Sequence, residues 1–186
     1  MRLCVLGLDN AGKTTILRAL AHEEINTVQP TQGFNVKTLM VRTGVANFKF
    51  NVWDLGGQSA IREHWPNYYD NLDCIIYVVD SSDNRRMEDE CGGELQKLLV
   101  DDKLAGVPIL VFANKQDLEL AMPADEIEET LHLSEINDRP WNIQACSAQN
   151  GEGKLLNAID SFTRLNICFS VHIRFVGRSG MARRHT

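Results

Sequence analysis

The sequence predicts a three-layer α/β sandwich, with helices on both faces of a mostly parallel six-stranded sheet that carries one antiparallel edge hairpin. Three observations lead there. The runs "CIIYVV" (74–79) and "PILVFA" (108–113) are apolar throughout, as in parallel strands buried on both faces. "VKTLMVRTGVANFKFNVW" (36–53) reads as two strands joined by a short turn around Thr43 and Gly44, hence a hairpin. Strand-like runs also alternate with helix-like segments, the pattern of crossover connections.

In chain order, "RLCVL" (2–6) is the first strand and residues 13–21 the first helix. The hairpin follows, then "CIIYVV". A helix is expected over 88–101, with Leu95, Leu98 and Leu99 on one face. After "PILVFA", residues 123–131 begin with a proline in the first turn followed by acids, a helix start. "WNIQAC" (141–146) is the last strand. Residues 154–165 place Leu155, Ile159, Phe162 and Leu165 on one helical stripe.

The chain has 186 residues, enough for one domain with a sizeable core. No apolar run approaches the roughly 18–20 residues that span a bilayer. The opening "MRLCVLGLDN" fits neither a signal peptide nor the Met-Gly myristoylation pattern. Cys4, Cys74, Cys91, Cys146 and Cys168 are scattered, with no C-x-x-C pair. That spacing suggests neither zinc nor a disulfide framework, and Cys4, Cys74 and Cys146 read as small buried thiols in strands. A reducing, cytoplasmic setting is expected. Five of the 19 basic residues follow Thr163, where there is no acid, so 14 stand against 25 acids before it. A body that acidic argues against nucleic acid as its partner.

Four stretches carry chemistry, each at the carboxyl end of an expected strand, where open α/β sheets bind ligands. "GLDNAGKT" matches G-x-x-x-x-G-K-[ST] between a strand and a helix. Backbone N–H groups from Gly7 through Leu8, Asp9, Asn10, Ala11 and Gly12 would wrap phosphate oxygens, helped by the helix N-terminus. Lys13 would reach the β- and γ-phosphates, and the Thr14 hydroxyl would ligate Mg²⁺. In "WDLGGQ", Asp54 would hold Mg²⁺ through water, the Gly57 N–H would meet the γ-phosphate, and Gln58 would orient an attacking water. Taken alone this stretch also fits a strand-end turn. In "NKQD", the Asp117 carboxylate can accept from both N1–H and the 2-amino group of guanine, a donor pair that adenine lacks. Lys115 would cover the base with its stem, and Asn114 would tie this loop to the phosphate loop. In "CSA", the Ala148 N–H could meet guanine O6.

Together, "GLDNAGKTT", "PTQGFN", "WDLGGQ", "NKQDL" and "CSA" resemble a small Ras-like GTPase of the ADP-ribosylation-factor (Arf) branch. "PTQGFNVKT", "NVWDLGGQ", "VPILVFANKQDL" and "NDRPWNIQACSAQNGEG" look closest to the Arf-like subgroup that releases lipidated cargo for cilia. The resemblance covers roughly residues 2 to 165. It implies the small G-protein form of the P-loop NTPase fold, a GTP-binding domain over 1–165, bound GTP or GDP, and Mg²⁺. It extends the nucleotide site to Thr15 and Ser147 and makes Thr31 the switch residue whose hydroxyl completes the Mg²⁺ shell. Phe34, Trp53 and Tyr68 match the family's apolar effector triad, although plain packing aromatics read equally well from the residues. The hairpin would slide in register when the nucleotide changes. Implied partners are a GTPase-activating protein, a guanine-nucleotide exchange factor and lipid-binding carriers. The protein would be a monomer in the cytoplasm, with cilium, Golgi and microtubules as candidate destinations.

Two departures stand out. Arf-like proteins carry an amphipathic helix before the first strand, whereas the strand here begins at Arg2, which puts membrane binding by that route in doubt. The tail 166–186 alternates Ile167, Phe169, Val171, Ile173 and Phe175 and then turns basic. An added edge strand, contact with acidic membranes and poor order all fit; poor order beyond about residue 170 is the expectation taken.

A GTP-switched regulator is the leading reading. A nucleotide-bound scaffold that never cycles is the alternative, and an ATP-using P-loop kinase is disfavoured by Asp117. Asp9, an acid beside the expected γ-phosphate, should hinder water and an incoming arginine. No arginine in this chain reads as a finger in cis, so partner-free hydrolysis is expected near ~10⁻⁴ s⁻¹. Single-turnover phosphate release measures it, and many turnovers per second would contradict the reading.

Overall fold

Strand register positions everything else in the molecule. In the computed structural model, which describes residues 1–42 and 47–151, six strands form one sheet. They are β1 (Arg2–Leu6), β2 (Phe34–Arg42), β3 (Asn47–Leu55), β4 (Cys74–Asp80), β5 (Ile109–Asn114) and β6 (Trp141–Ala145), in spatial order β2-β3-β1-β4-β5-β6. Every pairing is parallel except β2 with β3, as the hairpin pattern predicts. The turn of that hairpin, residues 43–46, lies outside the described residues, as do the expected helix 154–165 and the tail 166–186.

Side chains alternate across the sheet with the period of two that an extended chain imposes. Leu3 and Val5 point to one side, joining Val52, Ile76 and Phe112 under Ile16 and Leu17 of helix α1 (Lys13–Leu20). Cys4 and Leu6 point to the other, joining Tyr77, Val79 and Val111. Leu95 and Leu98 of helix α4 (Gly93–Leu99) and Ile127 of helix α5 (Ala124–Thr130) cover that side. Cys4, Cys74 and Cys146 are buried as expected, and burial holds all three thiols well above the ordinary thiol range. The remaining helices are short: α2 is Ser59–Arg62 and α3 is Asn84–Arg86.

Two helix boundaries differ from expectation. The helix expected over 88–101 starts earlier and is not uniform: α3 runs into a π turn, Met87–Gly92, before α4 ends at Leu99. The leucine spacing begins only at Leu95. The buried face continues backward through Cys91 and Met87, two residues that a leucine count misses. The Tyr77 hydroxyl donates to the Cys91 carbonyl at 2.8 Å, fastening the π turn to β4. Pro123 stands just outside α5 with an extended ψ of 157°, not inside the first turn, because α5 begins at Ala124.

One buried cation closes the far end of the sheet. Arg139 donates through Nη1 to the Leu104 carbonyl at 2.9 Å and through Nη2 to the Leu99 carbonyl at 2.8 Å, while Asp138 neutralises it at 2.6 Å. An Arg139→Met change strips partners from two carbonyls at once. Unsatisfied buried acceptors cost about 1–3 kcal/mol each, so urea denaturation should show a loss of about 2–6 kcal/mol with an unchanged m-value.

Candidate functional site

The loop after β1 and three other loops meet at the carboxyl end of the sheet. Residues 7–12 leave β1 and enter α1 through two glycine turns and an Asn10 with positive φ. Gly12 has φ +91°, and a Cβ there would come 2.3 Å from Asn114 Nδ2. Space for that amide is what the glycine provides. Asn114, the last residue of β5, donates from Nδ2 to the Ala11 carbonyl at 2.9 Å, as its assigned tie to the phosphate loop requires. Its Oδ1 accepts from the Ala148 N–H at 3.1 Å. In this structure the Ala148 N–H donates to the Asn114 side chain. It serves the tie between loops, because Asn114 is buried and its oxygen needs a donor.

Lys13 is buried, and its ammonium donates to the Gly7 carbonyl at 2.8 Å and the Leu8 carbonyl at 2.7 Å. Burial lowers its pKa to about 8, against the opposing pull of Asp54 and Asp9. A cation so held is ready to exchange carbonyl oxygens for phosphate oxygens.

Three hard oxygen donors converge beside it. The Thr14 and Thr31 hydroxyls lie 2.9 Å apart, and Thr14 Oγ1 donates to Asp54 Oδ2 at 2.7 Å. The Thr31 hydroxyl is 3.5 Å from the same carboxylate oxygen. Asp54 Oδ1 is buried with no hydrogen-bond partner among the described residues. Burial pushes the Asp54 carboxyl up, and the Thr14 hydrogen bond and the Lys13 charge pull it back. An orphaned carboxylate oxygen beside two hydroxyls fits Mg²⁺, which takes oxygen ligands and commonly uses one or two carboxylates plus substrate phosphates. No group of three or more His, Cys, Asp or Glu side chains forms a metal cage among the described residues.

The second glycine stretch lies directly on the phosphate loop. A Cβ on Gly57 would come 2.4 Å from Asp9 N and from Leu8 C and 2.5 Å from Gly7 O. The group that crowds Gly57 in this structure is loop backbone, and Asp9 N–H donates to the Gly57 carbonyl at 3.1 Å. Gly56 N–H donates to the Gly33 carbonyl at 2.9 Å, joining the segment that holds Thr31. Together these loops bound a cleft of about 310 Å³ whose walls include Asp9, Asn10, Gly12, Lys13, Thr14, Thr15, Thr31, Gly57, Gln58 and Lys115. Gln58 is exposed at the start of α2.

Asp117 and Ser147 stand apart from those walls, joined to each other by a 2.6 Å hydrogen bond from Ser147 Oγ to Asp117 Oδ1. Gly7, Leu8 and Ala11 lie behind the loop as buried backbone. Phe34, Trp53 and Tyr68 come together, with ring centroids 5.5, 5.1 and 5.8 Å apart, and Phe34 is 45% exposed.

Several contributors escaped sequence reasoning. Asp80, at the end of β4, pairs with the Lys115 ammonium at 2.5 Å. Trp65 donates from Nε1 to the Gly56 carbonyl at 3.0 Å, and Arg2 lies 4.6 Å over the Trp53 ring. Arg86 reaches Asp9 Oδ1 at 2.9 Å. None belongs to a motif; Asp80 alone had a signal, as an acid closing an apolar strand.

A phosphate-cradling loop, three convergent oxygen donors and a parallel sheet with one antiparallel edge define a nucleotide-binding protein with the small G-protein fold. The family model of the ADP-ribosylation factor family matches residues 1–165, and the chain belongs to that family of small GTP hydrolases. It is 58% identical over 152 residues to the ADP-ribosylation factor-like protein 3 of Chlamydomonas reinhardtii, covering 82% of this chain and 83% of that protein. It is 52% identical over 153 residues to the protein of the same name from Caenorhabditis elegans, covering 82% and 81%. The Arl6 BBS3 small GTPase from Trypanosoma brucei, solved with the nucleotide analogue GppNp bound, matches with a TM-score of 0.77 at 34% identity, over 89% of this chain and 96% of that one. Small GTPases bind GTP or GDP with Mg²⁺, and Arf-family members work with activating proteins, exchange factors and effectors.

The crowding at Gly57 is directly testable. A Gly57→Ala methyl must push the loops apart, because its neighbours are backbone. Affinity measured with a fluorescent non-hydrolysable GTP analogue should fall at least about tenfold, near 1.4 kcal/mol, while the far-UV CD spectrum stays that of the wild type.

Proposed function

We propose that this chain is a GTP-switched regulator whose 1–165 domain binds guanine nucleotide in the described cleft and presents the aromatic cluster to effectors in a nucleotide-dependent way. The observation that carries the reading is the convergence of Thr14, Thr31 and Asp54 oxygens next to Gly57 on the phosphate loop. Thr31 and Gly57 belong to separate segments, and one phosphate with its metal can hold both, so loss of that phosphate releases both.

In this reading the N–H groups of the 7–12 loop, other than the Asp9 N–H held by the Gly57 carbonyl, and the Lys13 ammonium bind phosphate oxygens. Thr14 and Thr31 supply hydroxyl ligands to Mg²⁺, with Asp54 acting through water. Bound Mg²⁺ supplies charge neutralisation at the β- and γ-phosphates. Asp117, oriented by Ser147, selects guanine; Lys115, held by Asp80, lies along the base; the Asn114 tie keeps base and phosphate loops in fixed relation. The Gln58 amide orients a water for in-line attack on the γ-phosphorus, and GDP leaves with its β-phosphate oxygen. Asp9, its charge paired with Arg86, keeps the unassisted rate low by its bulk beside the γ-phosphate.

The identity to two proteins named ADP-ribosylation factor-like protein 3, with the motif resemblance, supports the subgroup that releases lipidated cargo, with lipid-binding carriers as effectors and the cilium as a setting. The Phe34–Trp53–Tyr68 cluster, with Phe34 exposed and Trp53 and Tyr68 partly buried beneath it, suits an apolar protein face. The tail beyond 165 is assigned no part in the switch.

Single-turnover GTP hydrolysis with and without Gln58→Leu tests the cycle: the variant should hydrolyse at least about tenfold more slowly and bind GTP with wild-type affinity. Partners captured by that variant loaded with GTP should be lost on GDP loading and on a Trp53→Ala change. Equal capture in both nucleotide states would favour the non-cycling scaffold.

A further inference from the structure

The π turn lies beside two ion pairs, one reaching Asp9 of the phosphate loop and one reaching Arg62 of α2. On its N-terminal side, Arg86 donates through Nη1 to Asp9 Oδ1 at 2.9 Å and through Nη2 to the Asp9 carbonyl at 3.3 Å. Asp83 fixes the same guanidinium through Nε at 2.6 Å. Within the turn, Glu90 Oε1 accepts from Arg62 Nη2 of α2 at 2.6 Å. One helical turn later, Glu94 lies 3.7 Å from Arg62 Nη1. The Arg62 side chain is only 8% exposed, and its Nε and Nη1 make no hydrogen bond among the described residues. Glu90 is thus the only hydrogen-bonded anchor of that buried guanidinium among the described residues.

Arg62 ends the four-residue helix α2, and Gln58 caps its start. The Gln58 carbonyl accepts from the Ile61 N–H at 2.8 Å and the Arg62 N–H at 3.1 Å. A single turn of helix has no stability of its own. Its orientation depends on what holds it: before its start the Gly57 carbonyl on the Asp9 N–H, at the far end Trp65 on Gly56, and along its side the Glu90–Arg62 pair.

We propose that Glu90, carried by the π turn, is a positioning residue for Gln58: the chain of contacts Asp9–Arg86–π turn–Glu90–Arg62 is a brace that sets where the Gln58 amide stands relative to the phosphate loop. The π turn has a physical part in this. Arg86, just before it, reaches the phosphate loop, and Glu90, within it, reaches α2, so one turn of chain carries both contacts. The side-chain exposure of Glu90 is 36%, and it touches neither the cleft nor the phosphate loop, so it acts on the reaction only through Arg62. Misplacing a reacting group by even 1 Å can cost up to about a hundredfold in rate. The inference rests on the assignment of Gln58 made above.

The test compares wild type, Glu90→Gln, Gln58→Leu and the double variant, all with Mg²⁺. Partner-free single-turnover hydrolysis of GTP is measured beside the affinities for GDP and a non-hydrolysable GTP analogue. Glu90→Gln is expected to slow hydrolysis about fivefold while both affinities stay within about twofold of wild type, a split that a merely structural role would not produce. In the Gln58→Leu background the same change should have no further effect, since the brace acts through that side chain. Glu90→Asp, which keeps the charge but is one methylene shorter, should give an intermediate rate; it replaces Glu90→Gln if that variant melts far below wild type. A wild-type rate in Glu90→Gln, equal losses in rate and affinity, or additive slowing in the double variant would overturn the proposal. If Gln58→Leu hydrolyses as fast as wild type, the assignment of Gln58 fails first and this inference falls with it. If Gln58→Leu slows hydrolysis and Glu90→Gln does not, this inference alone fails.

Discussion

Backbone lying on backbone at Gly57 is the constraint on which the rest of the site depends. The Asp9 N–H···O=C Gly57 bond of 3.1 Å and the absence of a Cβ let the segment after β3 close on the phosphate loop. From that contact the geometry propagates. Gly56 bonds to Gly33, so the segment bearing Thr31 comes in, and the Thr31 hydroxyl arrives within 2.9 Å of Thr14. Any side chain at 57 would separate the elements whose meeting makes a nucleotide-dependent switch possible.

The same closure orders the surface. β2 begins at Phe34 and pairs it with Leu55, so the residue just after the Thr31 segment is fixed by the register of the hairpin. Val36 pairs with Trp53, which leaves the Phe34 and Trp53 rings adjacent on one face. Tyr68 reaches them from the turn after α2. Arg2 binds this group from behind: its guanidinium lies over Trp53 and donates to the Tyr68 carbonyl at 3.3 Å. Cation–π contacts are worth about 0.5–1 kcal/mol at exposed sites, so Arg2 trims the arrangement and the hairpin register sets it. The cleft and the aromatic face share the hairpin edge and the segment that runs through α2 to Tyr68.

Electrostatics in the cleft are arranged for a ligand that is strongly anionic and brings its own cation. Lys13 is held below its ordinary pKa by burial, and Asp54 above its own by the same cause. Both deviations reflect charges taken out of water, and a metal–phosphate group would stabilise both at once. Asp9, by contrast, already has its counter-ion in Arg86. The loop thus offers phosphate its N–H groups and Lys13 while its own carboxylate is occupied.

How much of this was legible in the sequence follows from the range of each interaction. Six strands, one antiparallel hairpin and the four motif loops could be read because alternation, apolar runs and glycine spacing are properties of a few consecutive residues. The tie of Asn114 to the phosphate loop was readable too, since the motif names the residue and the sheet places it. The π turn was not: its buried Met87 and Cys91 lack the leucine signature, and a helix with one wider turn has the same short-range pattern as a regular one. Nor was the partner of the Ala148 N–H, because a donor near two acceptors is assigned only by geometry.

The sequence by itself determined which elements form, which loops stand at the strand ends and which side chains in them can bind phosphate, metal and guanine. Only the tertiary structure decided that loop backbone is the close neighbour of Gly57 and that Arg86 covers Asp9. It alone also decided that Asp80 holds Lys115 and Glu90 holds Arg62. The three ion pairs among those contacts join residues 28 to 77 positions apart, each with at least one partner outside every motif, and such pairs meet only after the sheet order and the helix winding have set their distances.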